Sequence, residues 1–438
     1  MTTAATLSAL RQRVVNALGA NAFGQTVTVV IQLLSLPLFL TRWDPATYGI
    51  WLMLSAAPAY LAIADAGMVT AAGNRMNMAI GAGNLTLAST VFHSAIVFMA
   101  VVCGAVGLLA IPAALWLPIP GVVDPDQRTA LALLACTVLA NLVSGLADAL
   151  FRSTGRYALG TALASLVRLL ELFGAMVGLM FLGTYTAVAA GALAARLIGL
   201  GVLIVVSRQG LHGIAWGMQA ASMAELRTSI GPALSFMVFP LANALSFQGM
   251  TLLVGHLFGP VAVALFNAYR TIARTAVQLT SMFSFALWAE FSRLFGVGGA
   301  PAVQHLYRRS AALGAALPLA VSPLLYFAAP WLLLWWTNGA IEFRPGLMLL
   351  MVAYATVGGM WHVPRVLMMA VNAHARLAIW ALVTAALVLL LAAAVGPSMG
   401  LSGMAAATLV GELTIAVACV HMVHRFLRGA TPVTVSAA

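Results

Sequence analysis

Lysine is absent from this 438-residue chain: all 21 basic residues are arginine, set against ten acids. Charged residues are only 7% of the total and hydrophobic residues are 63%, with a mean hydropathy of +1.02. That balance excludes a soluble globular protein and belongs to a polytopic membrane protein. Without lysine there is no Walker A loop, so ATP is not hydrolysed by that route. No HExxH pair occurs. His421 and His424 share a helix face beside Arg425, but two histidines at a helix end do not build a metal site. Neither a metal nor a cofactor is therefore expected. Cysteine is scarce as well: Cys103, Cys136 and Cys419 all lie in apolar runs and read as small core residues, not disulfides or ligands.

Long polar segments are also missing. No soluble domain is left over, and a nucleic-acid partner is not expected. Every loop on the predicted outer side is short, which argues against a polytopic glycosyltransferase or polymerase and against enzymatic activity in general. Asp124-Pro125-Asp126 resembles the metal-binding DxD of glycosyltransferases, but a turn at the start of a helix accounts for it. Met1–Arg13 is short and polar, and the first apolar run is too long and too poorly flanked to read as a cleaved signal.

Apolar runs of spanning length fill the chain. A span takes about 20 residues, and the pattern predicts twelve, at 15–40, 48–69, 88–113, 128–151, 159–182, 185–206, 230–253, 262–289, 310–335, 346–371, 377–396 and 401–423. Arginine sets the orientation. With both termini in the cytoplasm, thirteen arginines lie on that side: Arg11, Arg13, Arg75, Arg152, Arg156, Arg208, Arg227, Arg293, Arg308, Arg309, Arg376, Arg425 and Arg428. Three lie outside: Arg42, Arg128 and Arg344. Trp43, Trp116, Trp335 and Trp336 cluster near predicted outer helix ends, as interfacial aromatics do.

The longest cytoplasmic connection, 207–229, falls near the middle and carries Leu211, Ile214 and Met218 at helical spacing. It reads as a short interfacial helix joining two six-helix lobes, 1–206 and 230–438. The halves are weakly alike. Pro45-Ala46-Thr47-Tyr48-Gly49-Ile50-Trp51 opens the second span, and Pro260-Val261-Ala262-Val263-Ala264-Leu265-Phe266 opens the eighth. A parallel repeat would place these in corresponding positions.

Five arginines remain inside predicted spans: Arg168, Arg196, Arg270, Arg274 and Arg365. Each costs about 2.5–3.5 kcal/mol at bilayer depth on insertion scales, and arginine does not shed its proton to escape. Arg168 and Glu171, three apart on one helix, are expected to form an ion pair. Arg196 has no local partner; a cavity-lining role and an inter-helix ion pair are both open to it. Arg365 lies about 9–10 Å from the cytoplasmic end of its helix at 1.5 Å per residue and is expected to snorkel. Arg270 and Arg274 are four apart and double the positive charge on one helix face. Relief comes either from a distant acid such as Asp65 or Asp148, or from a ligand phosphate, which arginine grips bidentately. Intramembrane acids are the candidates for ion coupling: Glu412, deep in its helix with no local partner, then Asp65, Asp148 and Glu171.

Residues 17–84 carry a family resemblance. Asn21-Ala22-Phe23-Gly24 begins the first span and Leu36-Pro37-Leu38-Phe39 ends it. Tyr48-Gly49-Ile50-Trp51, Asp65-Ala66-Gly67, Asn74-Arg75 and Gly81-Ala82-Gly83-Asn84 follow. Gly155-Arg156-Tyr157, Tyr269-Arg270 and Ala286-Leu287-Trp288-Ala289-Glu290-Phe291-Ser292 agree with it. The chain resembles the Wzx-type polysaccharide flippases of the multidrug/oligosaccharidyl-lipid/polysaccharide exporter superfamily. The resemblance implies a V-shaped, two-lobed, all-α transporter of a bacterial inner membrane. Its cargo would be an undecaprenyl-pyrophosphate-linked oligosaccharide, moved from the inner to the outer leaflet, with polysaccharide polymerase and export machinery as partners beside the membrane lipids. It also makes Arg75 a candidate at the cytoplasmic mouth. Drug exporters belong to the same superfamily, and proton-coupled ones often carry an essential aspartate in the first helix. Here that helix offers Asn21, Gln25, Thr26, Thr28 and Gln32 and no acid.

Overall fold

Proline and glycine decide where the apolar runs break. The computed structural model describes residues 4–119, 121–209, 214–371 and 373–429, and all regular structure among them is helical. The helices are α1 (Ala4–Leu40), α2 (Pro45–Ala56), α3 (Met68–Gly81), α4 (Leu85–Trp116), α5 (Pro125–Ser153), α6 (Tyr157–Phe181) and α7 (Tyr185–Arg208). They continue with α8 (Met223–Ala244), α9 (Met250–Phe258), α10 (Pro260–Ala286), α11 (Trp288–Trp336), α12 (Pro345–Met360), α13 (His362–Ala370) and α14 (Ala375–Gly429).

These segments make up the twelve predicted spans, several of them assembled from pieces. The second is α2, a 3₁₀ stretch Pro58–Asp65, and α3. Pro58 lacks the amide that an α-helix needs, and Ala66 and Gly67 close the stretch with φ of 48° and 76°. A side chain on Gly67 would strike the Ala233 carbonyl of α8. Because α3 then runs on to Gly81, Arg75 stands on a helix and not in the loop that the sequence suggests. The seventh span is α8, a π turn Leu245–Gly249, and α9. The tenth breaks at Trp361, between α12 and α13. Pro364 explains the break, since its ring opposes the carbonyl four residues back, at Met360. The eleventh and twelfth are the two parts of α14, separated by non-helical Gly400 (φ 61°, ψ −150°).

Ten helical stretches among the described residues are long and apolar enough to cross a membrane; the last holds both parts of α14, and α10 is not among the ten. Within α11, Gly299 takes φ +63° two residues before Pro301. Trp116 and Trp335 are exposed, as interfacial aromatics are. Trp43 is buried instead, stacked on Phe39, tilted against Tyr185 and donating to the Gly183 carbonyl. The three cysteines are free thiols.

The chain packs as two compact units. The first holds the residues up to Trp43 together with Ile50–Leu241; the second holds Asp44–Gly49 and everything from Ala242. This division runs through α8, whereas the sequence reading puts the lobe boundary before residue 230. Within the 207–229 connection α7 ends at Arg208, residues 214–222 are irregular and α8 begins at Met223; Leu211 lies outside the described residues. The connection is tied to α4 by side-chain bonds. His93 bonds the Ala215 carbonyl at 2.8 Å and the Ala220 amide at 3.1 Å, and Ser94 accepts from the Ser222 amide at 2.9 Å. Ile214 and Trp216 join the core of the first unit around Met76, Phe92, Met99 and Leu150. The core of the second unit is built on Phe266, Tyr269, Phe291, Leu333 and Met348, all 2% exposed or less.

Candidate functional site

A charge inside an apolar bundle must be met by another charge, a hydrogen bond or a π face. In the first unit it is met by carboxylates. Glu171 of α6 forms an ion pair with Arg196 of α7. Glycine makes that contact possible: Gly174 and Gly178 face Gly191 and Ala187, and a side chain on Gly174 would collide with the Gly191 carbonyl. The predicted Arg168–Glu171 pair is therefore not formed. Arg168 turns toward α1, donating to Thr28 Oγ1 at 3.0 Å and to Ser165 Oγ at 3.2 Å. Arg196 takes the inter-helix pair and is 7% exposed.

The other first-unit candidates are also committed. Arg75 forms an ion pair with Glu225 in the first turn of α8, with a second bond of 3.0 Å. Asp148 pairs with Arg152 one turn on, at 3.3 Å. Asp65 accepts from the Gly67 amide at 3.0 Å and holds the turn into α3. Both acids therefore have partners within the first unit. The DxD aspartates are caps: Asp124 accepts from the Asp126 amide, and Asp126 accepts from the amides of Tyr185 and Thr186 at the start of α7. Among the described residues no group of His, Cys, Asp and Glu could hold a metal ion.

The second unit is built differently. Arg270 of α10 is 5% exposed. It donates to the Phe247 carbonyl (3.1 Å), Thr251 Oγ1 (3.0 Å) and Asn267 Oδ1 (3.0 Å). Phe247 sits in the π turn, where the regular helical ladder is interrupted, and its carbonyl also accepts from Thr251 Oγ1 at 2.9 Å. Asn267 in turn bonds the Tyr48 side chain. The buried Nε of Arg270 has no hydrogen-bond partner among the described residues. One ring serves two cations: the guanidinium of Arg270 lies 3.8 Å from the Phe247 centroid and that of Arg274 lies 4.3 Å from it. Arg274 is half-buried and, among the described residues, makes no hydrogen bond or ion pair.

Glu412 of α14 faces the same region. Its Oε1 accepts from Trp361 Nε1 at 2.7 Å, and Gly358, whose side chain would stand 3.0 Å from that oxygen, leaves room for it. Trp361 reaches it because the α12–α13 break falls at that residue. No cation lies within ion-pair distance of Glu412 among the described residues; Arg365 and Arg274 are its charged surroundings. Arg365 lies over Trp361, 5.8 Å from the ring centroid, beside Glu412. Tyr354 of α12 stands among Arg270, Arg274 and Glu412. Sequence reasoning missed Phe247, Tyr354 and Trp361. Pro364, three residues after Trp361, was the one available signal. Elsewhere in this unit Glu342, Arg344, Met399 and Ser402 help line a cavity of about 510 Å³, which contains none of the predicted site residues.

No family model and no curated protein matches the sequence. Solved structures do. The chain is similar to a multidrug resistance MATE family transporter of the MOP superfamily in its inward-facing conformation, with a TM-score of 0.74 and 12% identity over 95% of this chain and 99% of that one. It is similar to one in the outward-facing conformation, with a TM-score of 0.68 and 13% identity over 96% and 97%. A MOP superfamily transporter from Pyrococcus furiosus, described by the reverse polarity of its binding pocket, matches with a TM-score of 0.66 and 13% identity over 95% and 96%. At these identities the likeness is one of fold: an all-helical, two-lobed, twelve-helix membrane transporter fold.

Proposed function

We propose that the chain is a flippase that carries an undecaprenyl-pyrophosphate-linked oligosaccharide from the inner to the outer leaflet of a bacterial inner membrane by alternating access. Arg274, backed by Arg270, receives the pyrophosphate. The observation that carries this reading is Arg274 itself, a half-buried arginine whose guanidinium rests on an aromatic ring and whose N–H donors make no hydrogen bond or ion pair among the described residues. Phosphate oxygens are the ligand such donors take best. Arg168, with hydrogen bonds but no ion pair of its own, is a secondary contact. Arg196 and Arg75 serve structure through Glu171 and Glu225 and leave the cargo site. Polysaccharide polymerase and export machinery would take the delivered cargo. Deleting the gene should strand lipid-linked oligosaccharide on the cytoplasmic side, and the Arg270→Ala/Arg274→Ala double variant should reproduce that. Full activity of the double variant at normal expression would contradict the phosphate site.

A second reading, a cation-coupled small-molecule exporter, draws on the MATE neighbours described as multidrug resistance transporters. The absence of any acid among the polar residues of α1 weighs against it. A shift in drug susceptibility on deletion, with surface polysaccharide intact, would favour it.

A further inference from the structure

Resting on that anion site, we propose that Glu412 binds a proton together with the cargo's phosphate, so that anion binding and proton binding favour one another. Each acid proposed for ion coupling in the first unit has a fixed partner: Glu171 has Arg196, Asp148 has Arg152, and Asp65 has the Gly67 amide. Glu412 has an indole N–H and, among the described residues, no ion pair. An indole donates to a carboxylate and equally to the carbonyl oxygen of a carboxylic acid, so the Trp361 contact survives protonation. An arginine pair would not.

The surroundings of Glu412 supply the coupling. Of the elements packed on α14, α12 presents Tyr354 and α13 presents Arg365, and Arg274 of α10 acts on Glu412 from the neighbouring helix. His362, also on α13, lies near Arg365 and Arg274. Ionised Glu412 is the resident counter-charge to both arginines. A phosphate arriving on Arg274 brings a second anion into the same poorly solvated cluster, and two like charges there oppose each other. A proton from water on Glu412 removes that opposition. By linkage, a proton that favours the anion is itself favoured by the anion to the same degree.

The test uses the full-length protein in lipid nanodiscs and UDP-N-acetylglucosamine as probe, a pyrophosphate diester whose phosphates stay ionised from about pH 5 to about pH 9. Wild-type affinity should rise as pH falls, by up to about tenfold per pH unit at its steepest. In weak buffer, close to one proton should be taken up per probe bound. Glu412→Gln should bind with the tight, pH-independent affinity and take up no proton, while His362→Asn should keep both effects. Wild-type binding that is flat with pH and takes up no proton would overturn the proposal, as would uptake that persists in Glu412→Gln. The wild-type uptake measurement needs no variant to fold. No probe binding at any pH would overturn the anion-site reading, and this inference with it.

Discussion

Both units hold arginine inside apolar helices and, apart from Arg168 with its two hydroxyls, they stabilise it in different ways. In the first unit the arginines at 75, 152 and 196 each meet a carboxylate. In the second, Arg270 is satisfied by a carbonyl, a hydroxyl and an amide oxygen, and Arg274 by the face of Phe247. A carboxylate cancels the charge and commits the donors. A π face attracts the charge but leaves every N–H unused. The first arrangement suits a scaffold, whereas the second keeps a cation ready for something else.

The contrast can be broken first at Arg274. Replacing it with alanine should lower cargo transport by about 100-fold, the equivalent of two charge-assisted hydrogen bonds to phosphate, with the melting temperature in detergent little changed. Removing one member of the Glu171–Arg196 pair should do the reverse. Arg196→Ala leaves a mostly buried carboxylate alone and should cost about 3–5 kcal/mol of stability, whereas Glu171→Leu with Arg196→Met should recover most of the loss. Thermal unfolding of the two variants checks this, and an Arg196→Ala protein as stable as the parent would mean that the pair is not structural. A smaller effect follows from separating α6 and α7: Gly174→Val should cost about 1–3 kcal/mol by overpacking and weaken the same pair.

The smallest effect concerns Asp44, outside the spans. Its carboxylate accepts from the Thr47 amide at 2.7 Å, and the hydrogen bonds of Thr47 hold its pKa below the ordinary 3.8. A depressed pKa adds stability that is present above the ordinary value and is lost as pH falls through the depressed one. Asp44 is exposed, so Asp44→Ala should cost only about 0.5 kcal/mol at neutral pH. The difference between the two proteins should vanish in acid, as a pair of urea titrations at neutral and low pH would reveal.

Much of this architecture is legible in the residues. Period-length apolar runs predict the twelve spans, and the glycine at 400 separates the last two as expected. Arg270 and Arg274, four apart, predict the shared helix face that α10 provides. Pairings across helices are not legible. Glu171 has Arg168 at ideal spacing on its own helix, but the close glycine contact between α6 and α7 delivers Arg196, and nothing in local sequence ranks one against the other. Phe247 acquires its role because a π turn interrupts its helix, and LSFQG carries no proline or other strong signal for that. Trp361 could have been found by counting back from Pro364 to the break, but its partner Glu412 is 51 residues away.

The central claim is that Arg274 of the second unit receives the anionic group of the cargo. It is tested most directly by reconstituting wild type and Arg274→Ala in vesicles loaded with lipid-linked oligosaccharide and following the appearance of glycan on the opposite leaflet. The account predicts transfer by the wild type and near-background transfer by an Arg274→Ala protein that is folded and correctly inserted. Transfer at the wild-type rate by that variant would contradict it.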